Sequence, residues 1–327
     1  MVHSTVTSVG SIVDAESYNL VVVVITMSRE QKDQQIYNLG YLTQTVARLL
    51  RIVHTDSTAK FQRKKLLVCD VDTQPKRFAE AADLSDHVQI MFRYQNATTK
   101  LTENLHEKEK DDYIYCLRAA SRFVSPYYLV LEDDVLLDES AVESVYFVMS
   151  YFDLFSAIDW LFLKLYYPQK WSGYGRNLQT VVELAGYSVL GGFLCASVIW
   201  LMPKCCKCRA MPAWFWFAVG AGFAPLLCVS IGRQYVESWR RYFSSTHQLV
   251  AAPGCCTQAT LYPALVISEL CAHLSRVHCH PKFPVDIAVD GFAHVRGLKR
   301  YLVEPNVVRH IGLMSSLAKS QSAKYFL

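Results

Sequence analysis

Two long apolar runs constrain this chain more than any other feature. Residues 184–202 form a run of 19 residues without a formal charge, and residues 211–231 form a second run of 21. As α-helices rising about 1.5 Å per residue, they would be roughly 28 and 32 Å long, close to the hydrocarbon thickness of a bilayer at about 30 Å. Two such runs are uncommon in the core of one soluble domain. The sequence therefore predicts a transmembrane hairpin rather than a buried helix pair.

The turn between the two runs sets the expected orientation. It spans residues 203–210 and carries Lys204, Lys207 and Arg209 but no acid, so the positive-inside rule places it in the cytosol. Residues 1–183 and 232–327 then lie on the lumenal side as two parts of one domain, separated by the hairpin at residues 184–231. Residues 1–20 contain no signal peptide, so we expect a native segment upstream to carry the first part of the domain across the membrane.

The sequon at Asn96 is a candidate glycosylation site.

The regions flanking the hairpin alternate between strand and helix patterns. Strand-length apolar runs lie at residues 20–25, 65–71 and 127–137, the last of which is interrupted by three acids. A helical pattern at residues 34–53 follows the first run, and a polar loop at 96–110 precedes another helical pattern at 112–123. The same alternation resumes after the hairpin, which predicts one α/β domain interrupted by an insertion. The formal net charge of +4 is spread along the chain, so we expect no nucleic-acid partner.

Three consecutive acids follow one of the predicted strands. Glu132, Asp133 and Asp134 end the run at 127–131, and open α/β sheets bind ligands at the carboxyl ends of their strands. Adjacent carboxylates repel one another, and a divalent cation relieves that repulsion. The alternative is an acidic turn in which Asp138 or Ser140 caps the next helix. The pattern alone leaves both open.

Three segments carry a resemblance to a known family: YYLVLEDDV, PGCCTQATLYP and LVEPNVVRHIGLMSSL. They resemble the post-GPI-attachment N-acetylgalactosaminyltransferases of the Golgi and, more distantly, the N-acetylglucosaminyltransferase IV family. The resemblance covers roughly residues 20–317. It implies a GT-A glycosyltransferase fold split by a transmembrane hairpin in the Golgi membrane. It also implies inverting, Mn²⁺-dependent transfer from UDP-GalNAc to the first mannose of a GPI anchor, so that the expected partners are a UDP-sugar, a GPI-anchored protein or GPI glycolipid, and membrane lipids.

The same resemblance implies roles for individual residues. The metal ligands would be Glu132, Asp134 and His310, with Asp134 the most direct ligand. The donor-binding residues would be Val24, Thr26, Arg29, Asp72, Glu132, Asp133, Pro253, Gly254, Cys255, Cys256 and Thr257. An inverting transfer needs a carboxylate base, for which Asp286 and Asp290 are the candidates, four residues apart. Asp286 is preferred because it resembles the acid after proline in the N-glycan family; capping of a helix N-terminus is the alternative for both.

The eleven cysteines show no spacing typical of a zinc site. In an oxidising lumen, six of them are candidates for disulfides of open connectivity: Cys69, Cys116, Cys255, Cys256, Cys271 and Cys279.

Two other functions remain as alternatives. One is an N-glycan GlcNAc transferase that uses UDP-GlcNAc, which the hairpin in mid-domain disfavours. The other is a non-catalytic membrane scaffold.

Overall fold

The computed structural model describes residues 17–28, 39–55, 61–75, 78–95, 104–168, 173–175, 178–202 and 211–312. Three of the sequence predictions, Arg29, Asn96 and the tip at 203–210, lie outside these residues.

The domain is built on a mixed β-sheet. The strands are β1 (Leu20–Thr26), β2 (Lys64–Asp70), β3 (Gln89–Phe92), β4 (Tyr127–Glu132), β5 (Val135–Leu137), β6 (Trp160–Lys164), β7 (Gln248–Ala251), β8 (Ala259–Pro263), β9 (Lys299–Glu304) and β10 (Val308–His310). Eight of them form one sheet in the order β3-β2-β1-β4-β8-β6-β9-β7, and β5 pairs with β10 beside it. Strands β1 to β4 run parallel, whereas β8 runs antiparallel to both β4 and β6.

Helices cover both faces of the sheet. They are α1 (Tyr41–Thr55), α2 (Ala79–Leu84), α3 (Leu105–Ala120), α4 (Ala141–Tyr151), α5 (Leu178–Leu201), α6 (Ala213–Ile231), α7 (Arg233–Val236), α8 (Ala264–Leu274) and α9 (Val285–Arg296). One core cluster contains α1, α2 and α4, and the other contains α3, α8 and α9. Because the central strands are buried on both faces, they read as continuous apolar runs such as LVVVVIT in β1.

One helix start differs from the sequence prediction. Helix α3 begins at Leu105 rather than at residue 112, so the predicted loop at 96–110 is wrong from 105 onward. The cause is a side-chain cap: the Asn104 carboxamide oxygen accepts a hydrogen bond from the His106 amide at 3.1 Å. Helix α1 is described from Tyr41, and the predicted helical residues 34–38 lie outside the described residues.

Helices α5 and α6 have the length and composition of membrane spans. They contain 24 and 19 residues, and most of their side chains are exposed rather than packed in the domain. Helix α5 begins six residues before the first apolar run. The two helices pack through glycines, since a Cβ atom on Gly220 would lie 2.3 Å from the Gly191 carbonyl oxygen. Close approach of this kind through small residues is typical of membrane helices.

The direction of the strands decides where this helix pair is attached. Helix α5 follows the carboxyl end of β6, and after α6 the chain re-enters the sheet at Gln248, which pairs with Glu304 at the carboxyl end of β9. Strands β6 and β9 are parallel, and β4 points the same way because β8 is antiparallel to both β4 and β6. The helix pair is therefore attached at the sheet edge where β4 ends in its acids.

A buried arginine connects the helix pair to the sheet. The Arg233 side chain, at the start of α7, places Nε 2.7 Å from Glu183 of α5 and Nη2 2.8 Å from Glu304 of β9. Only 7% of this residue is exposed. Charge-assisted, two-pronged contacts of this type fix orientation strongly.

The glycine contact gives a first prediction. Gly220→Val should force α5 and α6 apart and destabilise the protein by about 1–3 kcal/mol, the usual cost of overpacking. Gly222→Val, two residues along the same helix, is the matched control because a Cβ atom there meets nothing within 4 Å. Thermal unfolding in detergent measures both; equal melting temperatures for the two variants would contradict this packing.

Candidate active site

A cavity of about 400 Å³ opens at the edge of the sheet where the acids lie. Its walls include Thr26 from the end of β1, Asp133 and Asp134 after β4, and Asp286 from α9. This is the position expected for a ligand site in an open α/β sheet. Each acid in the wall is held differently, and those differences decide what it can do.

Asp133 is fixed by the two elements that pack beside it. Its carboxylate accepts a hydrogen bond from the Thr26 hydroxyl at 2.7 Å, and its carbonyl oxygen accepts one from the Thr45 hydroxyl of α1 at 2.7 Å. The residue is 4% exposed. Such a carboxylate is held in one orientation at the cavity wall.

Asp134 lies beside His310, which comes from the C-terminal part of the chain. The His310 Nε2 atom is 3.3 Å from Asp134 Oδ2. Pairing of β10 with β5 brings them together, because His310 lies opposite Val135 in that ladder. The Tyr166 ring stacks on the imidazole with centroids 5.9 Å apart. A side chain at Gly312 would place its Cβ atom 2.0 Å from Asp134 Oδ2, so only glycine allows this approach.

The structure does not assemble the full predicted metal set. In the described ranges of the chain, no group of three or more His, Cys, Asp or Glu side chains has the arrangement of a metal site. Glu132 lines the cavity, but its Oε1 atom lies 3.4 Å from the Thr257 hydroxyl, whereas Asp134 and His310 face each other. The contact seen directly among the three predicted ligands is the one between Asp134 and His310. A carboxylate and an imidazole are both suitable ligands for a divalent metal ion that takes its remaining ligands from other oxygen atoms.

The end of β1 and the turn after β2 are joined through Asp72. Its carboxylate accepts a hydrogen bond from the Ser28 amide at 2.9 Å, and its own amide donates to Asp70 Oδ1 at 2.8 Å. Burial raises the pKa of Asp70 to about 6. Val24 is placed differently from its predicted role, because its side chain is fully buried in the core and does not line the cavity.

A lysine at the end of β6 holds the turn of sequence PGCC. Lys164 is 3% exposed, and its ammonium group donates to the carbonyl oxygens of Pro253, at 2.9 Å, and Cys255. Burial lowers the pKa of Lys164 to about 8, although Asp286 and Asp290 oppose the shift. Sequence reasoning missed this residue. Its signal was visible, since it is the only charge in the apolar strand WLFLK.

Two disulfides stabilise the site region. Cys69 of β2 is bonded to Cys116 of α3, and the adjacent Cys255 and Cys256 are bonded to each other. The buried Cys271 and Cys279 are free thiols. Of the five predicted donor-binding residues in this turn, Cys256 and Thr257 line the cavity, whereas Pro253, Gly254 and Cys255 lie behind them.

The structure separates the two candidate bases. Asp286 lies in the first turn of α9, lines the cavity and accepts a hydrogen bond from the Cys256 amide at 2.8 Å. Asp290, one turn later, is ion-paired with Arg300 and packs under Gly254, whose added Cβ atom would lie 3.0 Å from Asp290 Oδ2. Asp290 therefore contacts the PGCC turn outside the cavity.

Glu109 of α3 is a cavity residue that sequence reasoning missed. It belongs to the charged run EKEKDD, which is indistinguishable in sequence from a solvated helix face. Its Oε2 atom is buried and has no hydrogen-bond partner in the described structure. Burial, reinforced by Asp286 and Asp112 and opposed by Lys108, raises the pKa of Glu109 to about 7.

With this geometry established, comparison with known proteins identifies the family. The family model described as GPI-N-acetylgalactosamine transferase PGAP4 matches residues 20–309, most of the chain. The chain belongs to this family. The predicted α/β domain interrupted by two apolar helices is confirmed. The GT-A type of that domain stays a prediction.

Solved structures give weaker matches. Glucosyl-3-phosphoglycerate synthase from Mycobacterium tuberculosis, solved with Mn²⁺, UDP and glucosyl-3-phosphoglycerate, is 11% identical over 90% of this chain and 72% of its own, with a TM-score of 0.40. Mouse xyloside xylosyltransferase 1 is 10% identical over 87% of this chain and 78% of its own, with a TM-score of 0.32. TarS 1–349 of S. aureus is 11% identical over 45% of this chain and 34% of its own, with a TM-score of 0.28. Likeness at this level says nothing about ligands or activity.

The raised pKa of Glu109 predicts a pH-dependent stability. The folded protein keeps the Glu109 proton up to about pH 7, whereas the unfolded chain releases it near the ordinary value of 4.5. The folded state thus binds more protons in this window, so this group's contribution to the free energy of unfolding falls as the pH rises through it. Glu109→Gln should remove that loss, and the variant should gain stability relative to wild type between pH 5 and pH 8.

Denaturant unfolding across this pH range measures the effect. Glu269→Gln, at an exposed carboxylate on α8, is the control and should follow wild type throughout. Parallel curves for wild type and Glu109→Gln would show that the Glu109 pKa is not raised.

Proposed function

We propose that this chain transfers GalNAc from UDP-GalNAc to the first mannose of a GPI glycan, with inversion and with Mn²⁺ as the metal. The family match supports the reaction and the acceptor. The observation that carries the proposal is that one cavity contains the Asp134–His310 pair, the ordered Asp133 and a separate carboxylate at Asp286. A sugar-nucleotide transferase needs these parts: a site for the leaving diphosphate, a site for the ribose and a base.

Asp134 and His310 would hold Mn²⁺, which supplies charge neutralisation for the leaving diphosphate. Thr26 keeps Asp133 in position to accept hydrogen bonds from the donor. The Glu132 carboxylate accepts a hydrogen bond from the Thr257 hydroxyl and so forms the part of the cavity wall next to the start of β8. Asp72 orders the backbone at the end of β1, next to the nucleotide side of the cavity.

Asp286 would act as the base of a single displacement. The UDP-sugar bond is α and the product linkage is β, so the acceptor oxygen attacks C1 as the bond to the diphosphate oxygen breaks. Asp286 takes the proton of the attacking hydroxyl. Its carboxylate is held by the amides of Cys256 and Ile287, which keeps it aimed into the cavity before the acceptor binds. Lys164 contributes indirectly by holding the turn that presents the Cys256 amide.

The location that we propose is the Golgi membrane, with residues 1–183 and 232–327 in the lumen, residues 184–231 as the hairpin and its tip at 203–210 in the cytosol. The two disulfides support an oxidising compartment for the domain. The helix pair is attached at the sheet edge that holds the cavity, so the site would face a lipid-anchored acceptor. Asn96 would be a glycosylation site in the same lumen.

Loss of the metal-binding carboxylate tests the reaction. Asp134→Ala should reduce GalNAc transfer by more than about 10²-fold, because charge on the leaving group is no longer neutralised. Expression and membrane insertion should not change, since Asp134 lies at a cavity wall. Radiolabelled UDP-GalNAc and a GPI acceptor measure the transfer; full activity in the variant would refute the metal assignment.

Donor choice separates the proposal from an N-glycan GlcNAc transferase. The wild-type chain should hydrolyse and transfer from UDP-GalNAc and discriminate against UDP-GlcNAc. Preference for UDP-GlcNAc with an N-glycan acceptor would favour that alternative, and no metal-dependent UDP binding in calorimetry would favour a non-catalytic scaffold.

A matched pair of substitutions identifies the base. Asp286→Asn should lower kcat by about 10²- to 10⁴-fold, the usual contribution of a general base. Asp290→Asn alters a carboxylate one turn away that pairs with Arg300 outside the cavity, so kcat should fall far less. Donor binding, measured by titration with UDP, should survive in both. The assignment fails if Asp290→Asn is the more damaging change to kcat.

A further inference from the structure

The segment after the second apolar helix has inverted polarity. Residues 233–243, which we call the aromatic segment, comprise α7 and the 3-10 helix Glu237–Tyr242, followed by Phe243. Its charged side chains point inward: Arg233 and Glu237 are 7% and 8% exposed. Its large rings point outward. A segment that faces water normally shows the opposite arrangement.

The outward side chains form one stripe. Tyr235, Trp239, Tyr242 and Phe243 are 63%, 51%, 83% and 55% exposed. Trp239 and Tyr242 are three residues apart in the 3-10 helix, which is the spacing of one face in a helix of three residues per turn, and Tyr235 and Phe243 flank that helix. The Trp239 and Phe243 rings contact each other with centroids 6.4 Å apart. Single exposed apolar residues are ordinary, but a contiguous exposed aromatic face marks an interaction surface.

The inward groups show where this stripe lies. The Tyr187 hydroxyl of α5 donates to Glu237 at 2.8 Å, and Tyr187 is inside the apolar run that starts at residue 184. Arg233 reaches Glu183, one turn earlier on the same helix. The aromatic segment therefore folds back beside the end of the helix pair nearest the domain. It does not lead straight away from the helices.

We propose that Tyr235, Trp239, Tyr242 and Phe243 insert into the headgroup layer of the membrane that α5 and α6 cross, on the side of the catalytic domain. Tyr and Trp favour this layer because their rings are apolar and their hydroxyl or indole N–H groups reach water. The continuity of the segment with a predicted membrane span argues for lipid rather than a protein as the occupant. Arg233, Glu237 and Arg240 are ion-paired within the protein, so insertion leaves these three charges compensated. Arg241 differs, because its Nε atom is buried without a hydrogen-bond partner in the described structure.

This contact would set the height of the cavity above the bilayer. Arg233 pairs with Glu304, the last residue of β9, and His310 follows six residues later at the cavity. The aromatic segment would thus act as a third membrane contact that prevents the domain from tilting about the two helices.

A photocrosslinker tests the contact without relying on the transfer reaction. In the full chain, Tyr242→p-benzoylphenylalanine replaces one exposed aromatic by another, and illumination in membranes with alkyne-tagged phospholipids should give a lipid adduct detectable by mass. The control is the same substitution at Ile158, which is 77% exposed just before β6, at the opposite edge of the sheet from the helix pair. That position should give at least about tenfold less lipid adduct.

Carbonate extraction of the same membranes separates the possible failures. Carbonate-resistant protein that crosslinks at position 242 to a second copy or another protein, or to nothing, would overturn the interfacial assignment while the membrane hairpin stands. Protein that carbonate extracts would overturn both, because the helices would then not span the bilayer. Neither result bears on whether the cavity transfers GalNAc.

Discussion

The ion pairs of Arg233 hold together the two dissimilar parts of this protein. Glu183 belongs to α5 and Glu304 belongs to β9 of the sheet, and the buried guanidinium of Arg233 contacts both. Removing one partner of such a group leaves a charge buried without compensation, which costs several kcal/mol, roughly 3–5. The link therefore couples the position of the helices to the strand that leads to His310.

The polarity of the sheet explains why the insertion does not disrupt the site. The acids end β4, the lysine ends β6 and the helix pair follows β6, all at one edge. Strand pairing is completed by β7, β8 and β9 from the second part of the chain, so the two parts cannot fold as independent units. The apolar helices leave the domain from that edge and return to it. An insertion at the opposite edge would have placed the cavity far from the helix pair.

Much of this architecture was predictable because it depends on local patterns. Buried parallel strands give uninterrupted apolar runs, and membrane-length helices give charge-free ones, so residues 20–26 and 213–231 were readable directly. The start of α3 was not predictable in this way. The cap at Asn104 is followed by a run of charged residues, and this run does not show which side of the helix faces the protein interior. Glu109 was not predicted as a cavity residue for the same reason, because it belongs to that charged run. The pairing of Asp134 with His310 depends on a ladder between segments about 175 residues apart, which spacing alone cannot reveal.

The resemblance to a family supplied roles, and the structure sorted them by position. Its geometry favours Asp286 over Asp290 as the candidate base, because Asp286 lines the cavity and Asp290 pairs with Arg300. It placed Glu132 beside Thr257 in the cavity wall, and it placed the Val24 side chain in the core. The central claim is that the sheet edge binds a UDP-sugar with its metal between Asp134 and His310. A cryo-EM map of the full chain in a lipid nanodisc with UDP and Mn²⁺ tests it most directly: the account predicts a metal peak contacting Asp134 Oδ2, His310 Nε2 and the diphosphate. UDP bound without a metal at that pair, or bound outside the cavity, would contradict it.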